Sequence, residues 1–246
     1  MRFGYYLVFS LVLTWGVLVP FSGKAHDLLV VFEDYPPYEY VEHSEVKGIN
    51  IDLAREAFRR MGVTPSFEPR PWKRGLYQLK TGEILALSSG FKTPEREKIA
   101  IFPDSPLAAE TNVVLALKNS RKSIKSLDEL HSLRIGVVRD YAYGKEFDDM
   151  VGLKKIFAKS MTQLIDMLQN KRVDVILASQ EVSQHLLKKS GELDDVEVLY
   201  TLSREPLYLF FSRIHGPESQ KLADQFSAAV QSMKEDGTFA AIKARY

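Results

Sequence analysis

Cysteine is absent from the 246 residues. That excludes disulfides, thiol catalysis and lipid attachment at cysteine. Histidine is scarce: five residues, scattered without the spacing of zinc ligands. No metal site and no cofactor are therefore expected. Charge of one sign is also missing. Lys and Arg number 33 against 32 Asp and Glu, a net charge of +1, and no basic block stands out. Nucleic acid is excluded as an expected partner on that ground. No Gly-, Pro- or Ser-rich linker divides the chain. Long apolar runs are absent too, with one exception at the start.

The exception is Met1 to Val19. Arg2 precedes an apolar stretch from Tyr5 to Val19, which Pro20 and Ser22 break. Gly23 and Ala25 then supply small residues at the −3 and −1 positions of a cleavage site. This is the layout of a secretory signal peptide, with cleavage expected after Ala25. The run is short for a membrane anchor. The mature chain, from His26, is expected to be soluble and exported, most simply to a bacterial periplasm. It is long enough for two small lobes or one large domain.

Apolar runs and helical spacing alternate along the rest. Leu28–Phe32 reads as a buried strand, and Pro36 and Pro37 then force the chain out of the sheet. Asn50 is expected to cap a helix with Ile51, Ala54, Ala57 and Phe58 inside, ended by Gly62. Residues 65–69 look extended. A helix follows from Trp72 to Leu79, closed by Gly82, then a strand at Ile84–Leu87. Tyr77 is expected in the core. Thr93 and Pro94 open a short helix, and Ile99–Phe102 is a strand. Val113–Leu117, Leu133–Val138 and Val173–Ala178 are further strands. Ser126–Glu129 and Ser160–Gln163 are capping boxes. Strands are also expected at Val196–Leu199 and Leu207–Phe211, separated by Pro206. A long helix spans Pro217–Glu235, and Asp236–Gly237 breaks it before a last helix at Thr238. Residues 75–86 and 164–175 share a helix, turn and strand pattern, a weak repeat suggesting two lobes of similar build. The fold class expected is α/β with parallel βαβ units. Hinges are expected near Pro106–Asn112 and Arg204–Leu207.

Arg96 is the odd residue. It lies in the first turn of the Thr93 helix, where a cation is disfavoured by about 0.3–1 kcal/mol. One reading pairs it with Glu95 or Glu97. The other aims it, with free helix N–H groups, at a bound anion. In open α/β sheets, ligands sit beyond the carboxyl ends of strands. Tyr35, the Ser88–Ser89–Gly90 segment with the Thr93 helix, Tyr141 and Tyr143, and Ser179 all follow strands in this way. Arg96 is in the right place for a ligand. Its removal is expected to abolish binding and to cost the fold little.

These segments together resemble the bacterial solute-binding protein family 3, periplasmic receptors for polar amino acids. The resemblance covers Leu28 to Tyr246. It is carried by Tyr35–Tyr40, Gly48–Leu53, Gly82, Thr93–Arg96, Ser126–Leu130, Arg172–Asp174 and Glu235–Thr238. It implies a two-lobed Venus-flytrap fold of type II, periplasmic-binding-protein-like. The lobes would be residues 26–109 with a return segment 205–246, and residues 110–204. It implies a ligand-facing aromatic at Tyr35, a carboxylate clamp at Thr93–Arg96 and a cleft-lining position at Trp72. Ser89, Gly90 and Phe91 fall beside the clamp. Three positions depart from the family pattern. Ser179 stands where an Asp usually holds the α-ammonium. Residues 140–144 replace a Gly-Ser/Thr loop, and Phe91 replaces a hydroxyl residue. The expected solute is therefore a small carboxylate-bearing anion without a free α-ammonium, stacking on the added tyrosines. Trp72 can equally be core, and Tyr141 and Tyr143 can equally pack their own loop. Glu33, Asp34 and Glu39 are read as solvated turn acids. The expected role is capture of a small-molecule solute by a monomer. It would serve an inner-membrane ABC permease, or alternatively a membrane sensor. A dehydratase-like enzyme on the same scaffold ranks below both, since no acid or base is seen to face the ligand.

Overall fold

The computed structural model describes Met1 and residues 28–246. The expected signal peptide lies outside the described residues. Among those described, no helix is long and apolar enough to cross a membrane.

The chain runs β1 (Leu28–Phe32), the hairpin β2 (Tyr40–Glu42) and β3 (Glu45–Lys47), α1 (Ile49–Arg60), β4 (Pro65–Pro69), α2 (Trp72–Thr81), β5 (Ala86–Gly90), α3 (Pro94–Glu97) and β6 (Ala100–Ile101). It continues with β7 (Ala108–Leu117), β8 (Arg134–Val138), α4 (Lys145–Asp148), β9 (Lys154–Ala158), α5 (Met161–Gln169), β10 (Val175–Ser179) and α6 (Gln180–Ser190). It ends with β11 (Val196–Ser212), α7 (Pro217–Glu235) and α8 (Thr238–Lys243). All strands but β2 and β3, which pair only with each other, join in one sheet, in the order β4-β1-β5-β11-β7-β10-β8-β9, with β6 also on β11. The outer pairs of each half are parallel, β1 with β4 and β5, and β8 with β9 and β10, whereas β10 meets β7, and β5 and β6 meet β11, antiparallel. The fold is mixed α/β and two-lobed.

The centre of the sheet departs from the expected βαβ pattern. β11 is a single 17-residue strand that runs through Pro206. Its first part pairs antiparallel with β7, from Val196↔Leu117 to Leu207↔Ala108. Its last part pairs with β5 and β6. The segments expected as hinges are thus hydrogen-bonded to each other. Proline removes one donor, yet Pro206 keeps register opposite Ala109; the register shifts lie earlier in the strand, beside Val198 and Thr201.

Local chemistry explains most boundaries. Thr93 caps α3, its hydroxyl accepting from the Arg96 N–H at 3.3 Å. Ser160 caps α5 in the same way through Gln163 N–H, and the Gln163 side chain accepts from Lys159 N–H rather than from Ser160. Gly82 closes α2 in the left-handed conformation, and Gly62 follows the end of α1 in that conformation. Asn50 is not the cap of α1. Gly48 holds that place, and its φ of 126° and the Tyr38 carbonyl, 2.3 Å from any added Cβ, require glycine. Asn50 is buried within the helix instead. Ser126 makes no side-chain cap, and a 3₁₀ helix follows it. The expected strand at 84–87 is shifted to β5, so Ser88–Gly90 is sheet rather than loop. Tyr77 is 62% exposed, not core: it lies on the outer face of α2, whose inner face presents Trp72, Gly75 and Leu79.

Four apolar clusters form the core. Two belong to the first half and its return segment, built on Phe58, Phe211 and Phe226 and on Val31, Leu79 and Phe210. A third lies on one face of β7, β8 and β10. The fourth packs α5 and α6 on the other face, and it also takes in Tyr35, Tyr38 and Phe91 from the first half. That shared cluster is where the halves meet.

Candidate functional site

The site is built where β1, β5 and β8 end. After β1 the chain turns at Tyr35–Glu39, which brings Tyr35 and Tyr38 to 6.1 Å in a stacked pair. After β5 come Phe91 and the one-turn α3. The α3 turn directs the Arg96 side chain back under the sheet edge. Its guanidinium is 8% exposed and pairs with neither Glu95 nor Glu97. It donates to the Phe91 carbonyl at 3.0 Å and to the Asp140 carbonyl at 3.3 Å. It lies over the Trp72 ring at 4.9 Å. Two of five N–H donors are used there, which leaves three for another acceptor. Burial lowers the Arg96 pKa to about 10, against the pull of Asp148 and Glu110.

The loop after β8 closes the site from the second half. Tyr143 anchors it. Its hydroxyl accepts from Val138 N–H at 2.7 Å, its N–H donates to Asp148, and its carbonyl accepts from Ser203 at 2.9 Å. Asp140 takes the left-handed φ of 65°. Its carbonyl accepts from Trp72 Nε1 at 3.0 Å as well as from Arg96. Tyr141 reaches across the cleft. Its ring meets Tyr35 at 6.0 Å and Trp72 at 6.1 Å, both edge-on, and its hydroxyl donates to Glu33 at 2.5 Å.

These groups enclose a cavity of about 30 Å³, room for one or two waters. Of the residues singled out from sequence, Tyr35, Trp72, Ser89, Gly90, Phe91, Arg96 and Tyr141 line it. Tyr143 and Ser179 do not. Tyr143 packs its own loop against Phe147. Ser179 is the N-cap of α6, a helix that sequence reasoning missed.

Three carboxylates also line the cavity, and sequence reasoning gave them no role: Glu33, Glu39 and Glu110. Glu33 and Glu39 are not solvated turn acids. Glu39 is 1% exposed and accepts from Ser88 at 2.9 Å and from Ser89 at 2.6 Å. The Asn50 amide donates to Ser89 behind them. Burial raises Glu39 to about 7, with the Ser89 and Ser88 hydroxyls holding it back. Burial also raises Glu33 to about 7, against the Tyr141 hydrogen bond. Only Asp34 is exposed, as expected. Glu110 is 4% exposed, and its Oε2 has no hydrogen-bond partner among the described residues. Burial pushes it up to about 8, with the Tyr35 and Ser179 hydroxyls beside the carboxyl holding it back. A signal for Glu110 was present. In β7, Ala108, Glu110 and Asn112 share the buried phase of the alternation. The segment was read as a hinge, so the phase was not used. Asp140 was missed for a different reason: it acts through its backbone.

Residues 28–246, the whole described segment, match the family model for bacterial extracellular solute-binding proteins, family 3. The chain belongs to this family. The arginine-binding extracellular protein ArtP of Bacillus subtilis is 23% identical to this family 3 protein over 227 residues, 92% of this chain and 87% of ArtP. The arginine-binding periplasmic protein of Mannheimia haemolytica is 24% identical, covering 93% of each chain. Among solved structures, a histidine kinase sensor domain with similarity to periplasmic binding proteins superposes with a TM-score of 0.82 at 17% identity, covering 91% of this chain and 96% of that one. An ancestral arginine-binding protein bound to arginine gives 0.77 at 24%, covering 89% and 97%. The structures share the fold. The sequence relatives support export and a solute-binding role for this family 3 protein.

Proposed function

We propose that the protein captures a small solute bearing both a carboxylate and an amine, between lobes formed by residues 26–109 with 205–246 and by residues 110–204. The observation that carries this is the unpartnered, buried Glu110 oxygen in a cavity that Arg96 also lines. A buried acceptor without a partner costs about 1–3 kcal/mol. An ammonium group would satisfy it, and the three remaining Arg96 donors would take the carboxylate. This revises the anionic solute expected from sequence. That expectation rested on the missing Asp at Ser179; Glu110, raised to about 8 by burial, would be drawn to its ionised form by a bound ammonium group and so offers a counter-charge from another strand. Two relatives are named for arginine binding, which agrees with an amine-bearing solute.

The role is binding rather than catalysis. The solute would pass to an inner-membrane ABC permease, with the protein acting as a periplasmic monomer after removal of residues 1–25. The intact mass of the exported chain reads that cleavage directly. A sensor input is the second reading, favoured by the superposition on a kinase sensor domain. The test is titration calorimetry with L-arginine, L-histidine and L-glutamate against wild type and Glu110→Gln. The expected result is binding of a basic amino acid by wild type, weakened at least tenfold in the variant. Preference for glutamate, undiminished by Glu110→Gln, would return the reading to an anionic solute.

A further inference from the structure

Three carboxyls, Glu33, Glu39 and Glu110, line the cavity with one guanidinium, Arg96. The Arg96 side chain bonds to two backbone carbonyls and to none of the three acids. A buried carboxyl without a counter-charge keeps its proton. Glu33 accepts from Tyr141, and Glu39 accepts from Ser88 and Ser89. Of the three, Glu110 alone has an oxygen without a partner among the described residues. Its state is therefore the one a bound group would change most.

The surroundings of Glu110 add acid rather than base. Glu181, in the first turn of α6, is tied to the next residue of β7. The Thr111 N–H donates to it at 3.0 Å and the Thr111 hydroxyl at 3.2 Å. Ser179 donates to the same carboxyl at 3.2 Å, and its hydroxyl also lies beside Glu110. Glu205 stands opposite Glu110 in the β7–β11 register, with its carboxyl beside Gly144. Tyr35 and Tyr38 face Glu110 from the first half, and Tyr143 from the loop after β8, all as neutral phenols. Arg96 pulls the other way, and Arg204, opposite Thr111, is exposed. Burial is the main cause of the rise of Glu110 to about 8, and the Glu181 charge adds to it.

We infer that capture is proton-linked through Glu181: tied to β7 at Thr111, it keeps Glu110 in its proton-bearing form, and an amine-bearing solute binds by displacing that proton. The Glu110 O–H bond breaks and its electron pair stays on the carboxyl oxygen. The proton passes to the buffer, and the carboxylate pairs with the ammonium group. Glu181 does not line the cavity; it is a positioning residue that sets the pH of the exchange. Binding is tight in alkali, and acid returns the solute. One proton given up per solute makes affinity fall about tenfold for each pH unit below the Glu110 midpoint. This rests on the proposed solute reading for the amine, while the proton site can be tested without any solute.

The first measurement uses no solute. Infrared difference spectra of wild type against Glu110→Gln should show one carboxylic-acid carbonyl band at about pH 6, lost with a midpoint at about 8. In Glu181→Gln that midpoint should fall by roughly half a unit or more. A missing band, or an unmoved midpoint, overturns the inference. The second measurement is calorimetric titration with L-arginine at about pH 6, 7 and 8.5. Wild-type affinity should fall about tenfold from pH 7 to pH 6. About one proton should be released per solute at pH 7, counted from the difference in heat between phosphate and Tris buffers. Glu181→Gln should bind about threefold more tightly than wild type at pH 6 and alike at pH 8.5. A merely structural role for Glu181 would change affinity equally at both. A flat wild-type profile, or an equal change at both pH values in the variant, overturns the inference. If Glu181→Gln does not fold, Glu181→Asp decides: it withdraws the carboxyl by one methylene and should move the midpoint the same way by less. Absence of L-arginine binding at every pH, with the infrared results as expected, removes the solute reading and leaves the Glu110 proton site standing.

Discussion

Replacing Arg96 by Met separates a brace from a binding group. Methionine keeps much of the volume and removes the charge and its donors. Two charge-assisted hydrogen bonds to carbonyls disappear, one of them long. Each such bond contributes roughly 1.5–3 kcal/mol. The stacking on Trp72 adds about 0.5–2 kcal/mol. Against this stands the burial of the guanidinium. Its pKa falls from 12.5 to about 10, and at 1.36 kcal/mol per unit that is a cost of ~3 kcal/mol. Subtracting that cost leaves a net loss of at most about 5 kcal/mol, and near zero at the low end of each range. For a chain of this size that is a fall in Tm of no more than roughly 10–20 °C. The solute response should vanish altogether. In wild type, a ligand at a hundred times its Kd adds about 2.7 kcal/mol. Thermal melts of both proteins, with and without L-arginine, measure this. A fall of more than about 20 °C without solute, alongside an intact shift on adding it, would show that Arg96 holds the lobes together and does not bind.

The buried carboxyls predict a pH dependence. Glu39 has a folded pKa of about 7 against 4.5, so the folded state keeps a proton that the unfolded state has lost. Its contribution is full below about 4.5 and is lost as pH rises towards 7. The size is ~3 kcal/mol, and Tm should fall between about pH 5 and 7.5. Glu39→Gln should lessen that slope, leaving the parts due to Glu33 and Glu110, and an unchanged slope would clear Glu39 of the effect. Gly90→Ala should also destabilise. Its Cβ would lie 2.6 Å from Phe210 and 2.9 Å from Trp72, and overpacking of this kind costs about 1–3 kcal/mol. Chemical denaturation reads the loss, and a neutral substitution would mean that Trp72 moves freely.

Some of this was legible in the chain because the signals were local. Pro217 and Asp236–Gly237 bracket α7, and the bounds agree with those expected. Thr93 and Pro94 start α3 as expected. Long-range pairing was less legible. Pro206 suggested a break, yet β11 continues because β7 supplies a partner along its length. α6 was missed because Ser179 was taken for a ligand position rather than a cap. The acids were misjudged for a related reason. Glu39 lies in a turn that a solvated acid would suit, and its serine partners come from a strand 49 residues away. In the candidate site, the cationic end could be found from a motif. The acidic end was harder: the alternation of β7 marks Glu110 as buried, but its meeting with Glu33 and Glu39 exists only in the folded sheet.

The route of β11 also sets the order of folding. The first half of the sheet is unfinished at β5 until Tyr208–Phe211 pair with it. Its helical cover is unfinished until α7 packs on α1. Both pieces come from the last forty or so residues of the chain. Contacts so distant in sequence form slowly, because loop closure must precede their reward. The N-terminal segment therefore leaves the ribosome long before its structure can close. A chain delayed in this way is expected to stay pliable while it is being made, which would suit a protein that is exported, and its first half of sheet closes only when β11 and α7 have followed.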